Sequence, residues 1–475
     1  MKNKHKFYQI ILGAALLFSG CTSFKDSVRE ARTESPETYI QSTDSVNIAA
    51  MNWREYFQDE NLIALIDTAL HNNQELNIML QEIAISQYEI LARKGEYLPS
   101  VNVGVGLGME KEGRYTRHGA VDEQLQIREG HEFPDPLGDF EIGAYGSWEV
   151  DIWRKLRNAK DAAATRYLAS IEGNKFMVTN LVAEIAETYY ELMAYDNLLQ
   201  TINQNVDIQS NALRIVKLQK ESAKVSQLAV NRFEAQLLKT TNLQYEIKQR
   251  IVEAENRLNY LTARFPQSIT RGSAAFLDIP LDSLQVGVPA QLLANRPDLR
   301  QAELELAASK LDVKVAKANF YPSLDIRAGV GLNAYNPKFL INPYSILFNL
   351  AGDMMAPLIN KNGIKAAYYT ANALQLQAVF HYEQTILKAH VDVMNQLARI
   401  ENYSRSFEVK SSEVEILNQS VNIASNLFNS ARADYVEVLL TQEETLEAKL
   451  ELIEVKGKLL QSKVNLYRAL GGGWK

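Results

Sequence analysis

Four short stretches of this chain alternate apolar and polar residues with a period of two, and most of what lies between them has helical periodicity. Val101, Val103, Val105, Leu107 and Met109 alternate with Asn102, Gly104, Gly106, Gly108 and Glu110. The pattern returns in Leu324, Ile326, Ala328, Val330 and Leu332, set against Asp325, Arg327, Gly329, Gly331 and Asn333. Phe140, Ile142, Ala144, Gly146, Trp148 and Val150 make a third set, and 344–355 a less regular fourth. These predict strands over about 100–110, 140–151, 323–333 and 344–355, each long enough to cross a bilayer when tilted, with one apolar and one polar face. Pro is absent from 137–265 and from 358–475, which predicts helices over 154–221 and 360–429, each ~100 Å long at 1.5 Å per residue. Small polar turns follow at 222–226 and 430–434. Beyond them apolar residues recur every seven, at Leu439, Leu446, Ile453, Leu460 and Tyr467, with Leu238, Tyr245 and Val252 in the equivalent places. Such a seam predicts coiled-coil hairpins, with ordinary bundle core as the alternative.

The second half repeats the first. Laying Asn72 on Asn295 brings Glu82, Ala84, Ser86, Lys94, Pro99, Ser100, Gly106 and Gly108 onto Glu305, Ala307, Ser309, Lys317, Pro322, Ser323, Gly329 and Gly331 without a gap. Ser222, Ala223 and Lys224 match Ser430, Ala431 and Arg432 once the longer polar segment 111–139 of the first copy is set against 333–343 of the second. One supersecondary unit is present twice. We divide the chain into a leader (1–20), an N-terminal segment (21–60) and two repeats (61–270 and 271–475). Four strands cannot close a pore, and unpaired edge amides in lipid cost several kcal/mol each, so a membrane reading needs two, three or four chains to pool their strands. A soluble sandwich, or a sheet covered by helices, would show the same alternation. In the membrane reading, 111–139 and 333–343 are the loops at the end remote from the helices.

Composition narrows the choice. The 475 residues are 46% hydrophobic and 23% charged with only 12 Pro and 23 Gly, which excludes collagen-like and disordered chains. Fifty basic against 57 acidic residues leave −7, so no general attraction to nucleic acid exists. The one cysteine, Cys21, rules out an intrachain disulfide. Before it stand Lys2, Lys4 and Lys6, an apolar run over 7–18, then Ser19 and Gly20, the layout of an export signal. Phe18-Ser19-Gly20-Cys21 resembles the cleavage box of bacterial lipoproteins, with Phe18 where Leu is usual, which implies acylation of Cys21. A plain secretory signal leaving a free thiol is the alternative. Loss of the leader's three lysines takes the charge to −10. His5, His71, His118, His131, His381 and His390 include no pair at metal-ligand spacing, and the glycines of 104–108 lack a phosphate-loop Lys. We expect no catalytic site, no metal and no cofactor.

Specific runs then carry a resemblance. Leu292-Leu293-Ala294-Asn295-Arg296-Pro297-Asp298-Leu299-Arg300-Gln301-Ala302-Glu303, Phe320-Tyr321-Pro322-Ser323-Leu324, Trp148-Glu149-Val150-Asp151-Ile152-Trp153-Arg154-Lys155-Leu156-Arg157 and the tail Leu466-Tyr467-Arg468-Ala469-Leu470-Gly471-Gly472-Gly473-Trp474 resemble the TolC-like outer-membrane channels of tripartite efflux and secretion systems. The likeness is greatest to their lipoprotein branch, which works with resistance-nodulation-division pumps. It implies a mainly α homotrimer with a 12-strand membrane β-barrel, a periplasmic helical tunnel, a periplasmic adaptor and an inner-membrane pump. Arg432, Asp434, Tyr435 and Glu437 resemble the family's gating segment, Glu437 best matching its acidic ring, and Lys224 and Gln227 mark the first tip. A merely solvated turn is the alternative. Phe140, Tyr145, Trp148 and Tyr344, with Trp153, for which core packing is the alternative, are expected as membrane-interface aromatics, while Trp53, Tyr56 and Phe57 are expected to pack the N-terminal segment onto the helices. The function implied is passive exit of drugs, toxic compounds or metals. A type I protein-secretion duct of the same fold, and a poreless coiled-coil scaffold or adhesin, stand beside it.

Overall fold

The computed structural model describes residues 29–475, apart from 35, 37–38, 40–46, 281–285 and 431. Cys21 and the leader lie outside the described residues. After a short turn of helix at Trp53–Tyr56 come α1 (Glu60–Asn72), α2 (Gln74–Tyr97), β1 (Ser100–Glu110), β2 (Leu137–Val150), α3 (Lys155–Glu221) and α4 (Gln227–Leu261). The second half gives α5 (Pro297–Ala318), β3 (Ser323–Ala334), β4 (Ile346–Met355), α6 (Asn362–Asn429) and α7 (Tyr435–Ala469). The order α2-β1-β2-α3-α4 thus recurs as α5-β3-β4-α6-α7.

The strands pair antiparallel in the order β1-β2-β3-β4, and their register explains the alternation. Val103, Ala144, Val330 and Phe348 form one row across the sheet, and Asn102, Tyr145, Gly329 and Asn349 the next, on the opposite face. Apolar and polar rows therefore separate by parity. Two expectations need correction. Tyr344 lies outside β4, in a 3-10 turn over Pro343–Ser345 in which Asn342 Oδ1 accepts from its backbone N–H at 2.9 Å. Segment 111–139 is more than a loop: it holds a helix, Arg117–Gln124, and a small ribbon of Gln126–Arg128 against His131–Glu132. Thr116 caps that helix by accepting from Gly119 N at 3.1 Å, and a Cβ on Gly119 would come within 2.3 Å of Gly113 O, so only glycine fits.

The junction between sheet and helix is built by Asp151, which is buried. Its carboxylate accepts from Leu156 N, Arg157 N and Arg157 Nε, each at 3.0 Å, while Arg154 turns the chain through φ 58°. Burial alone would raise this carboxyl's pKa, but the backbone N–H groups of Arg157 and Leu156 and the Arg157 guanidinium hold it below the ordinary value. Asp151→Ala should cost ~1–2 kcal/mol, the usual worth of a lost helix cap. Because the folded-state pKa is depressed, the wild-type advantage should be complete above the unfolded carboxyl's pKa and fade as pH falls through the folded value. Parallel denaturant titrations of both proteins across that range check this; an advantage that persists in acid would rule out the carboxylate as its source.

The helices stand side by side as a wall. Next to the sheet the packing order is α2-α3-α5-α6, and toward the hairpin tips it is α4-α3-α7-α6. Where these halves meet, two cores join the wall to the N-terminal segment. Trp53, Phe57, Leu62, Ile66, Tyr189, Leu192 and Tyr467 share one, and Tyr39, Leu299, Val393 and Leu466 lie in the other. Tyr56 stacks on Tyr467 with centroids 4.2 Å apart, so the expected role of Trp53, Tyr56 and Phe57 is what the structure shows.

Candidate functional site

Among the described residues, two opposite edges of the wall are unpaired. One edge is formed by β1, α2 and α4, the other by β4 and α6. The sevenfold seams show what this means. Leu446, Ile453 and Leu460 of α7 are 5%, 3% and 4% exposed, because α7 is an inner member of the wall. Leu238, Tyr245 and Val252, the same seam on edge helix α4, are 65%, 66% and 48% exposed. Val409, Ile416 and Ile423 form a second open seam on α6. The two run antiparallel at comparable heights, ~17–38 Å from the tip for α4 and ~9–30 Å for α6 at 1.5 Å per residue. Apolar seams at this spacing are built for a neighbouring helix.

The sheet carries the second element. Val101, Val103, Val105, Leu107, Phe348 and Leu350 are exposed along one face. The other face bears Asn102, Glu141, Asn333, Asn349 and, beside the helices, the row Glu149, Asp325 and Asp353, where Lys155 Nζ pairs with Glu149 at 2.5 Å. Tyr145 belongs to this polar face, which corrects its expected place in an interface belt. Its ring lies flat over glycines: a Cβ on Gly143 would sit 2.7 Å from its Oη and one on Gly329 3.0 Å from its Cδ1. Phe140 and Trp148 are on the apolar face, near opposite ends of β2. Trp148 Nε1 donates to Tyr97 O at 3.1 Å, and Trp153, stacked on Tyr321, donates to Pro322 O at 2.7 Å.

The tips are the third element. Both long helices end in the same backbone motif: Lys224 N donates to Gln219 O and Arg432 N to Leu427 O, each at 2.9 Å, with Ala223 left-handed at φ 56°. Lys224, Gln227, Arg432, Asp434 and Glu437 are all exposed there, and Gln227 Nε2 donates to Asn231 Oδ1 at 2.8 Å. Tyr435 instead turns inward, half-buried, its ring 6.4 Å from that of Phe233 in a cluster with Val230, Leu213 and Leu439. Lys239 Nζ donates to Glu443 at 2.7 Å, and this bond raises the lysine's pKa. Tyr435 and the Lys239–Glu443 pair thus tie the two hairpins of one chain together; the ion pair has no local sequence signature.

A further knot lies midway along the wall. Arg271, in the connection between the repeats, grips Asp196 of α3 with Nε and Nη2 at 2.6 and 2.8 Å and Glu255 of α4 with Nη1 at 2.5 Å. Ser273 Oγ adds a bond to Asp196 at 2.5 Å. Among the described residues no group of His, Cys, Asp and Glu is arranged to hold a metal ion, and no helix is long and apolar enough to cross a membrane.

Comparison with known proteins places this geometry. A family model described as outer membrane efflux protein matches residues 65–264 and 288–472. The chain is 24% identical over 483 residues to the solvent efflux pump outer membrane protein SrpC of Pseudomonas putida, covering 99% of each. To the probable outer membrane lipoprotein SilC of Salmonella typhimurium it is 23% identical over 478 residues, again 99% of each. It shares its fold with the open state of the MtrE outer membrane channel of Neisseria gonorrhoeae, at a TM-score of 0.82 and 20% identity over 94% of this chain and 97% of that one. A poreless scaffold is thereby set aside. An amphipathic sheet, a helical wall with open edges and a match running through both repeats lead to one conclusion: the chain belongs to the outer membrane efflux protein family and serves as an efflux channel of the outer membrane.

Proposed function

We propose that three copies of this chain close edge to edge into one duct, held by acyl chains on Cys21, which receives small molecules from a periplasmic adaptor and an inner-membrane pump and releases them outside. The observation that carries this reading is the pair of complementary open edges. β1 and β4 each offer unpaired backbone groups, and α4 and α6 each offer an apolar seam, on opposite sides of one chain. Joining the β1 edge of one copy to the β4 edge of the next satisfies both and leaves no sheet edge in lipid. The family resemblance supports three as the number. Purified protein in detergent should have the mass of a trimer and form channels in planar bilayers; a monomer without conductance would overturn the reading.

The free end of such a duct is at the tips, where Arg432, Asp434 and Glu437 are exposed on each chain and find partners on neighbouring copies. Three Glu437 side chains around one axis favour cations. Lys224 and Gln227 border the same opening from the first hairpin, and Tyr435 holds the second hairpin against it. Arg432→Ala should raise single-channel conductance by loosening the ring of tips, and Glu437→Ala should lower the cation preference read from reversal potentials. Unchanged traces for both would remove these residues from the gate. Phe140 and Tyr344 at the outer end of the sheet, and Trp148 and Trp153 at the end beside the helices, suit the two borders of the membrane.

A further inference from the structure

The first described residues run along α6 on a defined course. Arg29 donates through Nη2 to both carboxylate oxygens of Glu383, at 2.9 Å each, and its guanidinium lies 4.7 Å from the Phe380 ring centre. Arg32 N donates to the same carboxylate at 2.9 Å, and Gln375 Nε2 donates to Arg29 O at 3.2 Å. Ala31 packs against the buried cluster of Ala302, Leu306, Val379 and Tyr382, in the groove between α5 and α6. The next hold is Tyr39, almost fully buried, stacked on His390 with centroids 5.6 Å apart. Contacts at 375–383 and then at 390 show the direction: followed toward its N-terminus, the segment climbs α6 toward the sheet.

Distances along this course can be compared with the chain that remains. Gln375 lies ~20 Å from the first residue of α6 at 1.5 Å per residue. Close beside it the apolar band of the sheet ends, in the row Val150, Leu324 and Met354, since Val150, Met355, Gly363 and Ile364 line one cleft. From Arg29 back to Cys21 a fully extended chain spans ~26–29 Å at 3.3–3.6 Å per residue. The surplus is about two residues of length.

We propose that Arg29 and Glu383 form a clip that sets the length of the membrane tether: it fixes where the N-terminal spacer leaves the wall, so that lipid on Cys21 reaches the membrane only when the spacer is nearly straight. This rests on the acylated Cys21 of the reading above. Glu383 and Arg29 are then positioning residues for the anchor and take no part in conduction. Without the clip only the packing of Ala31 and the Gln375 bond to Arg29 O hold this stretch, and once they give way the chain is free back to Tyr39, adding ~33–36 Å of slack against only ~22 Å more of helix to climb.

Spacer length tests this in the full chain. Deleting 24–27, which keeps Thr22 and Ser23 beside the acylated cysteine, removes ~13–14 Å and leaves the tether too short. The deletion should lower the yield of heat-modifiable oligomer in outer membranes by about tenfold, since acyl chains withheld from the bilayer contribute no anchoring. Four added Gly and Ser residues at the same place should change nothing. Glu383→Ala, silent on its own, should restore the deletion variant to near the wild-type yield. A deletion variant as abundant as wild type with Glu383 intact overturns the clip, and so does a loss that Glu383→Ala fails to restore. The mass of the N-terminal peptide is read in every variant: an unlipidated wild-type Cys21 would overturn the anchor itself, a failure distinct from that of the clip.

Discussion

A single arginine at Phe348 or Val103 is expected to destabilise the membrane-inserted protein by ~2–4 kcal/mol, whereas arginine at Asn349 or Asn102, one residue away in the same strands, should cost far less. The contrast follows from register. Val103, Ala144, Val330 and Phe348 make the row nearest the middle of the apolar band, and the asparagines belong to the polar face one row along. Charge at the hydrocarbon midplane has no partner, while on the polar face it meets water and neighbours such as Glu141 and Asp325. Urea titrations in lipid vesicles, followed by the heat-modifiable mobility of the folded barrel, measure the difference. Equal losses for Phe348→Arg and Asn349→Arg would mean that the sheet does not divide lipid from water.

The second large effect concerns ring closure. Tyr245→Glu should leave the chain unable to assemble, because the carboxylate would be enclosed at the seam without a partner, at ~3–5 kcal/mol for each contact. Ile416→Arg should fail for the same reason. Combined, they should assemble: Tyr245 stands ~27 Å above the tip of α4, between the levels of Ile416 at ~20 Å and Val409 at ~30 Å on α6. Masses of the three variants in detergent, compared as a double-mutant cycle, give the coupling. Assembly of Tyr245→Glu as stable as wild type would place the seam elsewhere.

How far the sequence could be read depended on the range of the interaction. β1 matches its predicted span because its alternation is unbroken, and α3 and α6 begin within two residues of expectation, the first because the alternation stops at Val150 and the second because Pro357 precedes it. The less regular alternation of 344–355 predicts a strand that includes Tyr344, but Pro343 and the Asn342 cap commit it to a turn. At Tyr145 two signals conflicted, aromatic character for an interface and odd parity for the polar face; parity prevails because a one-residue shift would move every side chain of β2. The helix inside 111–139 had a cue, Thr116 as a cap, masked by polar surroundings. The candidate tip residues could be located from the repeat, since the turns recur at matching places. The inward turn of Tyr435, the Lys239–Glu443 pair, the Arg271 knot and the Arg29 clip join residues distant along the chain, for which neither periodicity nor local motif provides a sign.

The unequal lengths of the paired helices have a mechanical consequence. α3 and α6 are unbroken rods from the sheet to the tips, while α4 and α7 stop midway, where Arg271 fastens α3 to α4. Torque applied at a tip is carried to the sheet by the long rods with little loss, while each short rod is pinned where it ends, Leu261 O accepting from Asn73 Nδ2 and Ala469 O from Arg296 Nη1. A twist imposed on the lower half of the wall is therefore expected to end at this stiff collar and to leave the upper half in its shape.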